Sequence, residues 1–255
     1  MIEVAKVAKT YRSPAGERMT VLAGVSLRVE RGEMVALLGP SGCGKTTLLN
    51  LAAGFDAPDA GTIRIGGERV RGPSPRRITV FQQGGLLPWR TVRGNVELGL
   101  ESLGWTKARR QERVDACLRL VELLPFAEHH PRQLSGGMQQ RVAVARALAV
   151  EPDVLFLDEP FSALDAPTRA AMQGELLRLR QRLQATILLV THDLDEAIVL
   201  ADRILVLSSR PGTIRGEFVP TLTHPRQRDS AEYAALREDI ADALEPAAAR
   251  PEWSI

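Results

Sequence analysis

A glycine-rich stretch, GPSGCGKTT at residues 39–47, follows the apolar run MVALL and has the residue types to bind phosphate. Its spacing, Gly39-x-x-x-x-Gly44-Lys45-Thr46, is that of a loop whose backbone N–H groups surround an anion. The lysine would reach the β- and γ-phosphates of a nucleotide, and the Thr46 hydroxyl would hold Mg²⁺. A plain strand-to-helix turn is the alternative. The residues expected to contact the nucleotide are Gly39, Pro40, Ser41, Gly42, Cys43, Gly44, Lys45, Thr46 and Thr47.

Two acidic residues end the apolar run VLFLDEP at 154–160. Charge at the end of a buried strand is costly unless it has a partner or a task there. Ligands bind at the carboxyl ends of parallel strands, which places these acids where a nucleotide would lie. We expect Asp158 to sit near Mg²⁺ and Glu159 to polarise a water for attack on the γ-phosphorus. An acidic turn that caps the next helix is the alternative.

The stretch LSGGMQQR at residues 134–141 predicts a second helix start that favours an anion. Ser135 and two glycines open a helix with an apolar face, so its first N–H groups and its dipole attract negative charge. The chain already has a phosphate loop, so this second site makes sense if it faces the nucleotide of another copy. A capped helix without a ligand is the alternative.

Five short apolar runs predict strands buried on both faces, which is typical of parallel sheets. They are residues 34–38, 78–81, 154–157, 186–190 and 203–207. Helical patterns at 138–149 and 167–184 lie between them, so we predict an α/β domain with a mainly parallel sheet. The alternating runs IEVAKV, VSLRV and TIRI predict an antiparallel flank, residues 88–135 a helical insert, and residues 230–244 a further helix.

The overall composition is that of an ordinary globular protein. The 255 residues are 44% hydrophobic and 25% charged, and the net charge of +2 argues against a nucleic-acid partner. The two cysteines, Cys43 and Cys117, make no disulfide framework, which fits a reducing, cytosolic setting. The sequence lacks a run of roughly 18 apolar residues that could span a bilayer. We expect any membrane role to be exerted from the cytosolic face through partners.

In this order, GPSGCGKTT, LSGGMQQR, VLFLDEP, SALD and THD resemble the ATP-binding subunit of ABC transporters. The resemblance implies a P-loop NTPase fold with a RecA-like parallel core, an antiparallel flank and a helical subdomain at about 88–150. It also implies a nucleotide-binding domain at 1–215 and a C-terminal helix and tail at 216–255. The cofactors would be ATP and Mg²⁺. Two copies would pair head to tail, each ATP being held by the phosphate loop of one copy and by Ser135, Gly136 and Gly137 of the other.

Further residues match the family's motifs one at a time. Tyr11 matches the aromatic residue that stacks on adenine, with surface packing as the alternative. Gln82 matches the glutamine that contacts Mg²⁺ and the attacking water, and Asp165 ends the loop that signals across the dimer. His192 matches the histidine at the γ-phosphate. The resemblance therefore implies Glu159, His192 and Gln82 as catalytic residues and Thr46, Gln82 and Asp158 around the metal.

Apolar residues in GLLPWRTVRGNV, above all Leu86, Leu87 and Trp89, suit a groove for a partner helix. Packing within the helical insert is the alternative. This stretch, LLNLAAGF and LDEPFSALDAPTR resemble the importer branch that serves taurine, aliphatic sulfonates, nitrate and related small anions. The resemblance implies a peripheral subunit at the cytoplasmic face of the membrane, with permease subunits and a periplasmic or extracellular solute-binding protein. Taurine or another alkanesulfonate is the first choice of solute, and nitrate or bicarbonate is the alternative.

Two other classes of protein are weighed against this one. A soluble ABC ATPase acting on DNA or ribosomes would carry long coiled-coil inserts or tandem ATPase halves, which 255 residues do not show. A P-loop kinase or GTPase would lack LSGGMQQR, and a GTPase would need a guanine-reading Asn-Lys-x-Asp that the sequence lacks.

Overall fold

The computed structural model describes residues 1–12, 16–81, 85–162 and 164–245. Its strands are β1 (Ile2–Arg12), β2 (Arg18–Val29), β3 (Met34–Leu38), β4 (Ala60–Ile65), β5 (Glu68–Arg69), β6 (Arg77–Val80), β7 (Val154–Asp158), β8 (Thr186–Thr191), β9 (Arg203–Leu207) and β10 (Ile214–Phe218). Its α-helices are α1 (Lys45–Ala53), α2 (Val92–Glu97), α3 (Lys107–Leu120), α4 (Gly136–Ala149), α5 (Ala166–Leu183), α6 (Leu194–Leu200) and α7 (Ala231–Leu244). Short 3-10 helices lie at Leu98–Leu103, Leu124–Phe126 and Pro131–Gln133.

The chain forms two compact units. The first contains Met1–Gly72 and the described residues from Leu188 onward, and the second is Pro73–Ile187. The boundary between them falls within strand β8. None of the helices in the described ranges is long and apolar enough to cross a bilayer.

In the first unit, an antiparallel sheet has the strand order β2-β1-β4-β5. Alternate residues of β1, such as Ile2 and Val4, are buried, because one face of this sheet covers a core. Gly66 and Gly67 both adopt positive φ and make the tight turn between β4 and β5. The predicted antiparallel flank is confirmed.

The same unit holds four neighbouring strands in the order β10-β9-β3-β8. Strand β3 runs parallel to β9, and all of its residues are buried. Strand β10 runs antiparallel to β9 and alternates between half-buried and exposed residues. The sequence analysis missed β10, because a weakly apolar strand in a segment rich in proline and arginine leaves no buried run. Strand β10 also spans residue 215, and the division of domains at that point stays a prediction.

The second unit contains β6 and β7, which pair in parallel with Arg77 opposite Val154. The first two residues of β8 belong here too, and the Thr186 N–H donates to the Asp153 carbonyl at 3.1 Å. Helices α2, α3 and α4 enclose a core that includes Val96, Leu118 and other apolar residues. The five apolar runs thus form β3, β6, β7, β8 and β9, and the described part of residues 88–135 is helical as predicted.

Helix α7 packs against α6 in the first unit and confirms the helix predicted at 230–244. Tyr233 on α7 is buried, and its hydroxyl donates to Asp195 Oδ1 at 2.9 Å. Arg237 also reaches Asp195, and the buried Arg226 donates to the Ala201 carbonyl at the end of α6. The C-terminal segment therefore forms hydrogen bonds with both ends of α6, the short helix that follows β8.

We expect Tyr233→Phe to lower the free energy of unfolding by about 1–2 kcal/mol, because a buried hydroxyl loses a hydrogen bond to a carboxylate. This loss of stability is smaller than for a fully buried hydrogen bond to a carboxylate, because the Asp195 side chain is 38% exposed. Urea denaturation of the wild type, Tyr233→Phe, Asp195→Asn and the double variant measures it. Single effects that simply add would contradict the proposed coupling.

Candidate nucleotide-binding site

The loop at residues 39–47 connects the buried strand β3 to helix α1. Gly42 and Gly44 have φ values of 75° and 107°, in the left-handed region that favours glycine. A Cβ on Gly39 would lie 3.0 Å from both Cys43 Sγ and the Leu207 carbonyl oxygen, and a Cβ on Gly44 would lie 2.7 Å from Leu22. The three glycines of the motif are therefore required by conformation or by space.

Lys45 begins α1, and its ammonium group lies inside the curve of the loop. Lys45 is only 5% exposed. Its Nζ donates to the carbonyls of Gly39 at 2.6 Å and Pro40 at 3.0 Å. Gly44, at the start of the helix, offers no side chain to cap the first N–H groups. A nearly buried cation and an uncapped helix start together fit a polyphosphate.

Tyr11 lies in the same unit, on β1, and is 37% exposed. Its hydroxyl donates to Asp56 Oδ2 at 2.8 Å and also interacts with the Thr47 side chain at the start of α1. Lys9 donates to Asp56 Oδ1 at 2.8 Å, and its Nζ lies 5.1 Å from the centre of the tyrosine ring. The predicted adenine-stacking residue is thus held beside the helix that carries the phosphate loop.

The hydrogen bonds around Tyr11 set its ionisation. Partial burial and the hydrogen bond to Asp56 raise the pKa of the Tyr11 phenol to about 12. Partial burial alone would raise the pKa of Asp56, but the hydrogen bonds from Lys9 and Tyr11 outweigh it and lower that pKa. The ring is therefore a neutral phenol at physiological pH. Sequence reasoning missed Lys9 and Asp56, since no motif or periodicity joins residues 47 positions apart.

His192 directly follows β8 in the first unit, and its side chain is exposed. The next residue, Asp193, caps α6 by accepting a hydrogen bond from the Glu196 N–H at 3.0 Å. Its own N–H donates to the Thr191 hydroxyl at 3.0 Å. His192 therefore lies in a short turn between β8 and α6 that these two hydrogen bonds stabilise. Its role at the γ-phosphate stays a prediction.

In the second unit, β7 ends at Asp158, which is 6% exposed, and Glu159 follows with a φ of 47°. Positive φ is uncommon for a residue with a side chain, and such outliers concentrate at functional sites. The turn is held because Ser162 donates to the Glu159 carbonyl from its N–H at 3.3 Å and from its hydroxyl at 3.0 Å. The backbone thus leaves the regular strand conformation directly after Asp158, at Glu159.

Ser135 caps α4 by accepting a hydrogen bond from the Met138 N–H at 3.3 Å. Ser135 and Gly136 are exposed, and a Cβ on Gly136 would meet no atom within 4 Å. Gly137 packs against Leu164, where a Cβ would approach to 3.0 Å. The start of this 14-residue helix is therefore an open surface of the second unit, bordered by the loop of Leu164 and Asp165.

Asp165 caps α5 and accepts a hydrogen bond from the Thr168 N–H at 2.9 Å. That hydrogen bond holds the pKa of Asp165 below its usual value. Gln82 lies outside the described residues, so its predicted contact with Mg²⁺ stays a prediction. The other two predicted metal ligands, the Thr46 hydroxyl and the Asp158 carboxylate, are oxygen donors of the kind that Mg²⁺ prefers.

A second surface lies in the turn at residues 85–91. The buried Asn95 holds it: its Oδ1 accepts from the Leu87 N–H at 2.8 Å, and its amide donates to the carbonyls of Leu87, Arg90 and Thr91. Leu86 packs on the helical core, whereas Trp89 is 72% exposed. An exposed tryptophan on a turn pinned by a buried amide is typical of a contact surface.

Comparison with known proteins defines the class. Residues 22–162 match the family model described as ABC transporter. The chain is 50% identical over 209 residues to the nitrate import ATP-binding protein NrtD of Synechocystis sp., covering 81% of this chain and 79% of that protein. It is 45% identical over 228 residues to the bicarbonate transport ATP-binding protein CmpD of Synechococcus elongatus, covering 89% and 81%.

The chain belongs to the ABC transporter family and is an ATP-binding domain of that family. Its fold matches the solved ATP-binding cassette MJ0796, described as a dimer in a post-hydrolysis state bound to ADP and Pi. The TM-score is 0.78 at 35% identity, covering 86% of this chain and 98% of that one. The P-loop NTPase fold predicted from the sequence is confirmed. ABC ATPase cassettes bind ATP with Mg²⁺, so the predicted cofactors are confirmed as well.

The two tyrosines of the chain allow a direct test of the Tyr11 site. The raised pKa means that the folded protein holds this proton more tightly, so the stability it contributes is lost as pH rises from 10 to about 12. Burial also raises the pKa of Tyr233. In a rapid pH jump, the folded protein should therefore show little phenolate absorbance at pH 10.

The Asp56→Asn variant serves as the internal comparison for this titration. It should lower the pKa of Tyr11 toward its ordinary value and leave the pKa of Tyr233 unchanged, because Tyr11 donates to Asp56 whereas Tyr233 donates to Asp195. A wild-type phenol that ionises near pH 10 while the protein is folded would contradict the described hydrogen bond.

Proposed function

We propose that this chain is the ATPase subunit of an importer for a small inorganic anion of the nitrate or bicarbonate type. The observation that carries the proposal is the 50% identity to NrtD across most of both chains, supported by the likeness to CmpD. These relatives favour the second solute class weighed from the sequence. They give no support to taurine or an alkanesulfonate, the first choice.

In the proposed working complex two copies pair and form two ATP sites. Each site is made of residues from both copies. The phosphate loop of one copy would hold the triphosphate through its N–H groups and Lys45, whose amino group now rests on two loop carbonyls. Ser135, Gly136 and Gly137 of the other copy would complete the site with the start of α4. This pairing is supported by the exposed start of α4 and by the dimer described for MJ0796.

Hydrolysis is assigned to the turn after β7. Glu159 would accept a proton from the attacking water, and its positive φ turns the carboxylate away from the strand direction. Asp158, Thr46 and Gln82 would hold Mg²⁺, which offsets phosphate charge when bound. His192 would donate to the γ-phosphate, and Asp165 would pass the state of one site to the other copy.

Coupling to the membrane is assigned to the turn that carries Trp89. A permease helix would pack on Trp89, Leu86 and Leu87, and Asn95 would keep that turn in place. The subunit would therefore act at the cytoplasmic face of the membrane. The solute would be selected by the permease and a solute-binding protein, since ATP rather than solute meets this chain.

Reconstitution with the cognate permease and binding protein tests the function. We expect ATP hydrolysis to be stimulated by nitrate or bicarbonate and not by taurine, and Glu159→Gln to lower turnover by about 100-fold or more while ATP still binds. Glu151→Gln is a matched control, because Glu151 also has a positive φ and is exposed. Stimulation by taurine alone would reverse the choice of solute, and near-normal turnover of Glu159→Gln would remove its role.

Trp89→Ala should weaken co-purification with the permease by about tenfold or more, because an aromatic anchor contributes a large share of contact energy. Because the Trp89 side chain is 72% exposed, the variant should keep its fold, which circular dichroism checks. Val219→Ala, another exposed apolar position at 61%, provides the control and should co-purify normally. Equal recovery of permease with Trp89→Ala and wild type would place the contact elsewhere.

A further inference from the structure

The segment between β9 and β10, residues 208–213, passes directly behind the phosphate loop. The Gly212 N–H donates to the Val21 carbonyl at 2.8 Å, and the Gly212 carbonyl accepts from the Ala23 N–H at 3.1 Å. A Cβ on Gly212 would lie only 2.2 Å from the Cys43 carbonyl oxygen. Only glycine allows so close an approach, so the segment is built against the loop.

Arg210 extends from this segment to the loop itself. Its Nη2 and Nε donate to the Gly42 carbonyl at 3.1 and 3.3 Å. Its Nη1 contacts the Met19 sulfur, and Met19 pairs with Tyr11 across strands β2 and β1. The guanidinium thus lies between the phosphate loop and the strand pair that carries the predicted adenine contact.

The contact with the Gly42 carbonyl has a consequence for the next N–H group. In a trans peptide the carbonyl and the following N–H point in opposite directions. Holding the Gly42 carbonyl toward Arg210 therefore turns the Cys43 N–H toward the inside of the loop. There it makes a long contact of 3.4 Å with the Pro40 carbonyl. An anion inside the loop would be a better acceptor, since hydrogen bonds to charged groups are stronger.

The charge of Arg210 acts in the same direction. A guanidinium stays protonated at any physiological pH, and this one lies within hydrogen-bond distance of a loop that holds Lys45 as well. Gly42 leaves the room for it, because a Cβ there would lie 3.1 Å from Arg210 Nη2. Two positive charges and the start of α1 then converge on one short turn.

We propose that Arg210 is a positioning residue of the nucleotide site: it orients the Cys43 N–H toward the phosphates and adds positive charge beside them. The proposal rests on the proposed function only in taking the loop as the ATP site. No motif in the sequence pointed to this arginine, because it lies 168 residues from Gly42.

Binding of Mg·ADP and of the non-hydrolysable analogue Mg·AMP-PNP to the full chain, measured by calorimetry, tests the proposal. We expect Arg210→Met to weaken both by about tenfold, which corresponds to about 1.4 kcal/mol, with the loss shrinking as salt is added. Arg210→Lys keeps the charge but loses the planar fork, so it should weaken binding by an intermediate factor. The ATPase should show a raised KM with kcat largely retained.

Arg215→Met is the matched control, since it removes the same charge from an exposed arginine of the same unit whose partners are the Ala243 and Glu245 carbonyls. It should bind both nucleotides as wild type does. A purely structural role for Arg210 would lower the melting temperature of the nucleotide-free protein and leave nucleotide affinity unchanged. That outcome, or equal losses in Arg210→Met and Arg215→Met, would overturn the proposal.

Lys45→Ala separates this proposal from the proposed function. If Lys45→Ala loses nucleotide affinity and Arg210→Met does not, only the role of Arg210 is wrong. If Lys45→Ala also binds normally, the loop is not the nucleotide site and the proposed function fails with it.

Discussion

The structure depends on a turn that must keep its backbone N–H groups turned inward at the end of a buried strand. Unpaired polar groups next to a core are costly, and so is the nearly buried ammonium group of Lys45. In the present structure the carbonyls of Gly39 and Pro40 satisfy that charge. A triphosphate would offer acceptors to both the cation and the N–H groups at once.

The surroundings of the loop in the first unit serve this constraint. Strand β3 is buried on all of its residues and gives the loop a rigid start, while α1 directs its uncapped first turn at the loop. From behind, Gly212 and Arg210 hold the backbone through contacts that leave no room for a side chain. From the side, the Lys9–Asp56–Tyr11 group sets the aromatic ring next to Thr47.

The second unit presents a different chemistry on its own surface. The turn after β7 holds the half-buried Glu159 in a backbone conformation that a residue with a side chain seldom adopts, next to the buried Asp158. Ser135 caps helix α4, whose first residue, Gly136, is exposed, while the next, Gly137, packs against Leu164. Local geometry thus shapes both the turn proposed for hydrolysis and the helix start proposed to bind the nucleotide of a paired copy.

The sequence by itself determined the elements whose signals are local. Local signals specify the apolar strands β3, β7, β8 and β9, the glycine spacing of the loop and the start of α4 at Ser135, because each lies within a few residues of what it specifies. Family motifs extended this to the class of protein, though not to the solute.

Only the tertiary structure decided the partners of those elements. Strand β10 is stabilised by pairing with β9 rather than by its own composition, and Asp56 and Arg210 reach Tyr11 and Gly42 from 45 and 168 residues away. Such contacts depend on how the chain folds back on itself, and no periodicity in the sequence records them.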